Sequence, residues 1–255
     1  MNNLIKNSNQ IQKIKIAGKV VAQILAQLSQ MIIPGNNGIF LAKKAYEIIL
    51  QNNCQPNFLN YQGFPDVICV SINETLIHGI PNNRSFQEGD LVSVDVGCKY
   101  QGMHADAALT KIVGKGSEND QKLVDVTKKS LELIIKKLKS GFFVGNIGNI
   151  VSAFVKKSGY FLTEEFCGHG IGLSLHEKPD ILNVEQSNLG MRLRSNMIIC
   201  IEPMVLTGNN ELQILSDGWS VVSKNKKNNC HFEHMLLITE EGCEVLTDYE
   251  KYLIL

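Results

Sequence analysis

Twice along this 255-residue chain a pair of helical stretches is followed by several short apolar runs of strand length, with no linker between the two rounds. Residues 11–32 carry Ile11, Ile14, Ala17, Val21, Ile24, Leu25, Leu28 and Ile32 at three- and four-residue steps, the spacing of an amphipathic helix, and Pro34-Gly35 ends it. A second helix is expected over 38–52, with Phe40, Ala45, Ile48 and Ile49 on its apolar side. Strand-like runs follow at 67–72, 91–96 and 107–113. The pattern restarts at Ser117 and Asp120, which fit a capping box for a helix reaching about 138 and closed by Gly141. Another helix over 146–157 stops at Ser158-Gly159, and strand-like runs resume at 197–201, 212–215, 219–223 and 232–239. Strands grouped after helices predict an α+β fold, two similar halves (about 10–115 and 117–250) around one antiparallel sheet. The whole chain, 1–255, is expected to form a single domain.

Composition narrows the function. A hydrophobic content of 44% is ample for a buried core, while 25 basic against 25 acidic residues leave no global field for nucleic acid or anionic membrane. Seven cysteines, odd in number and without a CxxC pair, fit reduced thiols better than a disulfide framework or a structural zinc site. The start, MNNLIKNSNQ, lacks the apolar core of a secretory signal, and no apolar run approaches the ~20 residues needed to span a bilayer. A cytoplasmic protein is expected.

The chemistry lies in acidic residues set among apolar ones. Asp95 sits inside LVSVDVG, where an unpaired carboxylate is costly, and Glu202 follows an apolar run in MIICIEPM. NNCHFEHMLLIT puts Glu233 in the 232–239 strand, between Phe232 and an apolar run. In VSVDVGCKYQGMHADAALT a turn centred on Tyr100-Gln101 sets Asp95 and Asp106 directly opposite each other across a hairpin. Four converging carboxylates repel one another unless about four positive charges are supplied, which two divalent cations would do. His169, between glycines in FCGHGIGLSLHEKP, completes a candidate ligand set, and His78 and His176 stand in segments of similar character. Bland alternatives stand beside these: Asp106 as a turn residue, His176-Glu177 as a surface pair, and a glycine-flanked His169 as structural. Two metals bridged by carboxylates activate a water and polarise a carbonyl, so the chain reads as a hydrolase.

Taken in order, NYQGFP, SINETLIHGIP, VSVDVGCKYQGMHADAALT, CGHGIGLSLHEKP, IEPM and DGWSVVSKNKKNNCHFEHMLLIT closely resemble the type I methionine aminopeptidases, from about residue 11 to 246. The resemblance implies the pseudo-symmetric pita-bread fold, its sheet covered by two pairs of helices, and removal of the initiator methionine from nascent polypeptides whose second residue is small. It implies two divalent ions (Mn, Fe, Co or Zn) on Asp95, Asp106, His169, Glu202 and Glu233, with Asp106 and Glu233 bridging. A metal-bridged water would attack the scissile carbonyl and Glu202 would help take its proton. His176 would stabilise the tetrahedral intermediate, His78 would contact the scissile amide, and Tyr61, Phe64, Cys69, Leu175 and Trp219 would line the methionine pocket. Partners would be nascent N-termini, at the ribosome, met by a monomer without nucleic-acid specificity or a membrane. The chain departs from the family's usual residues at Gln62, Ile77, Leu175 and His231. Rival readings are a proline-directed peptidase of the same fold, a silent binding module of that fold, and an unrelated two-metal phosphatase.

Overall fold

The structure, a computed structural model, describes residues 4–253. Helices α1 (Ser8–Met31) and α2 (Gly38–Gln51) come first. Asn7 starts α1, its Oδ1 accepting from Gln10 N–H while Gln10 Oε1 accepts from Asn7 N–H, both at 2.9 Å. The next strands are β1 (Gln55–Pro56), β2 (Ile68–Ile72), β3 (Thr75–Ile77), β4 (Leu91–Tyr100) and β5 (Met103–Ile112). The second round opens with α3 (Glu118–Ile135), whose Ser117 Oγ accepts from Asp120 N–H, and α4 (Gly145–Lys157). Ten short strands complete it: β6 (Phe161–Leu162), β7 (Gly168–Gly170), β8 (Glu177–Ile181), β9 (Ile198–Ile201), β10 (Met204–Leu206), β11 (Leu212–Ile214), β12 (Val221–Ser223), β13 (Asn229–His231), β14 (His234–Ile238) and β15 (Cys243–Val245).

Every ladder is antiparallel, and the hydrogen bonding divides the expected sheet into four pieces. β4 pairs with β2, with β5 and, at its Cys98-Lys99 end, with β1; β14, β9, β7 and β8 run side by side in the second half. The two halves join where Glu233 N–H donates to Ala108 O at 2.9 Å, so the second half continues from the edge of the β4–β5 hairpin. Thr110 strengthens that seam, its Oγ1 accepting from His231 N–H and donating to His231 O. α1 packs on β4 and β5, α3 on α4, and one apolar cluster runs from Ile11 to Tyr249 through both halves. This is the α+β arrangement expected.

Two local expectations are corrected. The hairpin turns at Gln101-Gly102, not Tyr100-Gln101: Tyr100 pairs with Met103, Asp95 with Ala108 and Asp106 with Gly97. Both turn residues have positive φ, 46° and 81°, and Gly102 takes the second without steric cost, which fixes the turn one residue later. The aspartates are therefore diagonal neighbours on one face. The run around Glu233 is not one strand either, because the chain leaves β13, paired to β10, and enters β14, paired to β9, with Phe232-Glu233 as the crossing.

Candidate active site

Across the seam, backbone pairing sets Cys69, Asp95, Ala108 and Glu233 side by side on four neighbouring segments. Asp106 joins them diagonally, and its ladder partner Gly97 is a glycine for a steric reason. A Cβ there would lie 2.8 Å from Asn57 Nδ2, which donates to Ala105 O. From the other half, His169 on β7 pairs with Cys200 on β9, and Glu202 stands just past the end of β9 where Pro203 stops the ladder. His169 Nε2 lies 3.8 Å from Glu202 Oε1 and 3.9 Å from Glu233 Oε1. The five expected ligands thus converge from both halves.

Their electrostatics are those of crowded, buried acids. Burial, reinforced by the neighbouring carboxylates, pushes Asp106, Glu202 and Glu233 well above the usual range for acids, and burial lifts Asp95 to about 6. Among the described residues no lysine or arginine forms an ion pair with any of the four. Asp95 Oδ1, Asp106 Oδ1 and Glu233 Oε1 are buried without a hydrogen-bond partner. His169 Nδ1 lies 2.9 Å from Gly170 O; a carbonyl only accepts, so Nδ1 carries the proton and Nε2 keeps its lone pair. Burial lowers this histidine to about 4, which keeps it neutral. One imidazole nitrogen and several orphaned carboxylate oxygens make a donor set that fits divalent cations. Asp95, Asp106 and Glu233 offer oxygens within 4.8 Å of one another, as do Asp106, His169 and His176, and His169, Cys200 and Glu233.

A cavity of about 150 Å³ opens on the carboxylates, and every site residue expected from the sequence lines it. Phe64 and Trp219 meet edge to face at 5.2 Å, with Cys69 and the buried Leu175 completing an apolar wall. Tyr61 Oη lies 2.9 Å from His176 Nδ1, and the His176 and His169 rings are 4.4 Å apart. His78 holds a left-handed φ of 57°, a costly conformation that turns its ring toward Phe166 and Trp219. Burial and the neighbouring His231 and His176 lower it to about 4.

Three neighbours stand outside the expected site set, although Gln62 and His231 are among the departures from the family's usual residues. Phe58 and Gln62 line the cavity, and His231 Nε2, buried without a hydrogen-bond partner, is 3.6 Å from Glu202 Oε2. The aromatic run NFLNYQGF was the signal for Phe58.

The sequence profile of Metallopeptidase family M24 matches residues 12–240. The chain belongs to that family. It is therefore a metallopeptidase, whose active form uses divalent metal. Within M24 it is 50% identical, over 97% of its length and 99% of the relative's, to a methionine aminopeptidase of Mycoplasma capricolum. It is 38% identical to methionine aminopeptidase 1 of Bacillus subtilis, over 96% of this chain and 98% of that one. The crystal structure of a methionine aminopeptidase from Thermotoga maritima matches with a TM-score of 0.94 at 40% identity, covering 95% of this chain and 98% of that chain. Prolidase from Pyrococcus furiosus shares the fold alone, with a TM-score of 0.78 at 22% identity over 65% of its length.

Proposed function

We propose that this M24 metallopeptidase is a single catalytic domain that removes N-terminal methionine from nascent polypeptides whose second residue is small, acting in the cytoplasm as a monomer. The observation that carries the reading is the apolar wall of Phe64, Cys69, Leu175 and Trp219 in the same cavity as the acidic cluster. A first side chain seated there brings its own peptide carbonyl to the carboxylates. The relatives named methionine aminopeptidase support the same substrate. Among the described residues no helix is long and apolar enough to cross a membrane.

In this reading Asp95, Asp106, His169, Glu202 and Glu233 would hold two divalent ions. Bound ions of this kind polarise a carbonyl and acidify a water. Glu202, partly open to the cavity, accepts the proton of the attacking water. With Tyr61 O–H as the donor across the 2.9 Å contact to His176 Nδ1, the neutral ring would present Nε2–H as a donor to the oxygen on which charge develops. His78, kept neutral by its surroundings, contacts the scissile amide. Pocket burial of a methionine side chain contributes roughly 1.5 to 3 kcal/mol, enough to favour it about tenfold to a hundredfold over a small first residue.

The test is a peptide panel with Mn, Fe, Co and Zn supplied in turn. Release of methionine from Met-Ala and Met-Pro peptides, with Xaa-Pro controls uncut, is expected; faster cleavage of Ala-Pro than of Met-Ala peptides would overturn the assignment in favour of a proline-directed peptidase.

A further inference from the structure

The loop between β7 and β8 carries Leu175 and His176 into the pocket, and what holds it lies at the far end of the chain. Glu177, the residue after His176, has both carboxylate oxygens engaged. Its Oε1 accepts from Leu173 N–H at 2.7 Å and from Ser174 N–H at 3.0 Å, folding the loop over itself. Its Oε2 meets Lys6 Nζ at 2.5 Å, in a pair whose side chains are 1% and 10% exposed. The lysine stem lies across Gly172, where a Cβ would come within 2.2 Å of Lys6 Cε. Lys6 itself is fixed on both sides, by its N–H to Asn196 O and by the Asn7 cap of α1. Charge, geometry and burial make this a clamp between the first described residues and the pocket wall.

We propose that Lys6 is a positioning residue: by neutralising and anchoring Glu177, it holds the 172–177 loop so that Leu175 and His176 face the substrate. A buried carboxylate deprived of its cation seeks water, and here it would carry the Leu173 and Ser174 amides with it. The consequence for turnover rests on the reading of His176 given above; the consequence for the loop does not.

The experiment uses the metal-loaded full chain with Lys6→Met, Lys6→Arg and Glu177→Gln. Lys6→Met is expected to lower kcat on a Met-Ala peptide roughly tenfold to a hundredfold, the scale of a small misplacement of an acting group, with KM changed less than about threefold. Lys6→Arg is expected to restore most of the rate. Amide hydrogen exchange gives the independent readout: Leu173 and Ser174 should lose protection in Lys6→Met and Glu177→Gln, while Ile171, bonded to Ile198 O, keeps its own. Unchanged protection at Leu173 and Ser174, or kcat within twofold of the parent, would overturn the proposal. Loss of protection throughout α1 as well would make Lys6 a support of the whole fold and overturn it equally. If the parent protein releases no methionine, the functional reading fails while the exchange result still judges the clamp.

Discussion

Single residues set the chemistry here, above all the buried carboxylates Asp106 and Glu233 beside Asp95 and Glu202. Glu202→Gln keeps the shape and removes the charge on which the proposed roles of ligand and proton acceptor both depend. The expected outcome is a kcat lowered about 10²- to 10⁴-fold in steady-state assays, with no loss of melting temperature in metal-free protein. The pH dependence follows from two opposed sets of groups. Asp95, lifted to about 6, and Asp106, Glu202 and Glu233, raised further by burial, hold protons more tightly folded than unfolded. Their contribution favours the fold at low pH and is lost as pH rises through and beyond 6. His169, lowered to about 4, acts with the opposite sign: its contribution is present above its unfolded value and lost as pH falls toward 4. All five must be proton-free at their ligating atoms to bind a cation. Added Mn or Co should therefore raise the melting temperature more at pH 7.5 than at pH 5.5, measured by scanning calorimetry; an equal gain at both would contradict the ligand assignment.

At the scale of elements, the β4–β5 hairpin positions the first two acids, and Gly97 is its tightest point. Gly97→Ala would set a methyl against Asn57 and break the Asn57–Ala105 bond beside Asp106. We expect a loss of about 1 to 3 kcal/mol in denaturant unfolding and a metal affinity at least about tenfold weaker, the scale seen when the support of a ligand is disturbed. The same hairpin marks how far sequence reasoning reached. That Asp95 and Asp106 share a face was legible, because parity survives a shift of the turn centre by one residue on each strand. Their register was not, because turn type depends on how Gln101 and Gly102 divide the positive φ angles. The long helices α1 to α4 were legible from their period and from the Pro, Ser and Gly signals at their ends, whereas the Asn7 cap of α1 was not read. Three-residue strands such as β7, which carries His169, are too short to show a period. Glu233 was read inside a strand because nothing in Phe232-Glu233-His234 announces that the chain changes sheets there.

At the scale of the whole molecule, the site exists only because both halves contribute. Tyr61, Phe64, Cys69, Asp95 and Asp106 come from the first, and His169, Leu175, His176, Glu202, Trp219 and Glu233 from the second. Single side chains in the sequence pointed to the chemistry, but His231 facing Glu202 depends on β13 pairing with β10, which sets His231 opposite Met204, and strands of three residues leave no such pairing legible in the sequence. The pocket is likewise shared, so its selectivity is set by walls from both sides. Leu175→Phe should narrow it and lower the Leu-to-Met ratio of kcat/KM by about three- to tenfold, on the scale of one or two methylenes. Equal ratios in the two proteins would remove Leu175 from the determinants of specificity. The central claim is that the seam of the two halves is a two-ion centre, and equilibrium dialysis of the metal-free protein against Co tests it most directly. The account predicts two ions bound per chain, falling to one or none in Glu233→Gln. Stoichiometry unchanged by that substitution, or no binding by the parent protein, would contradict it.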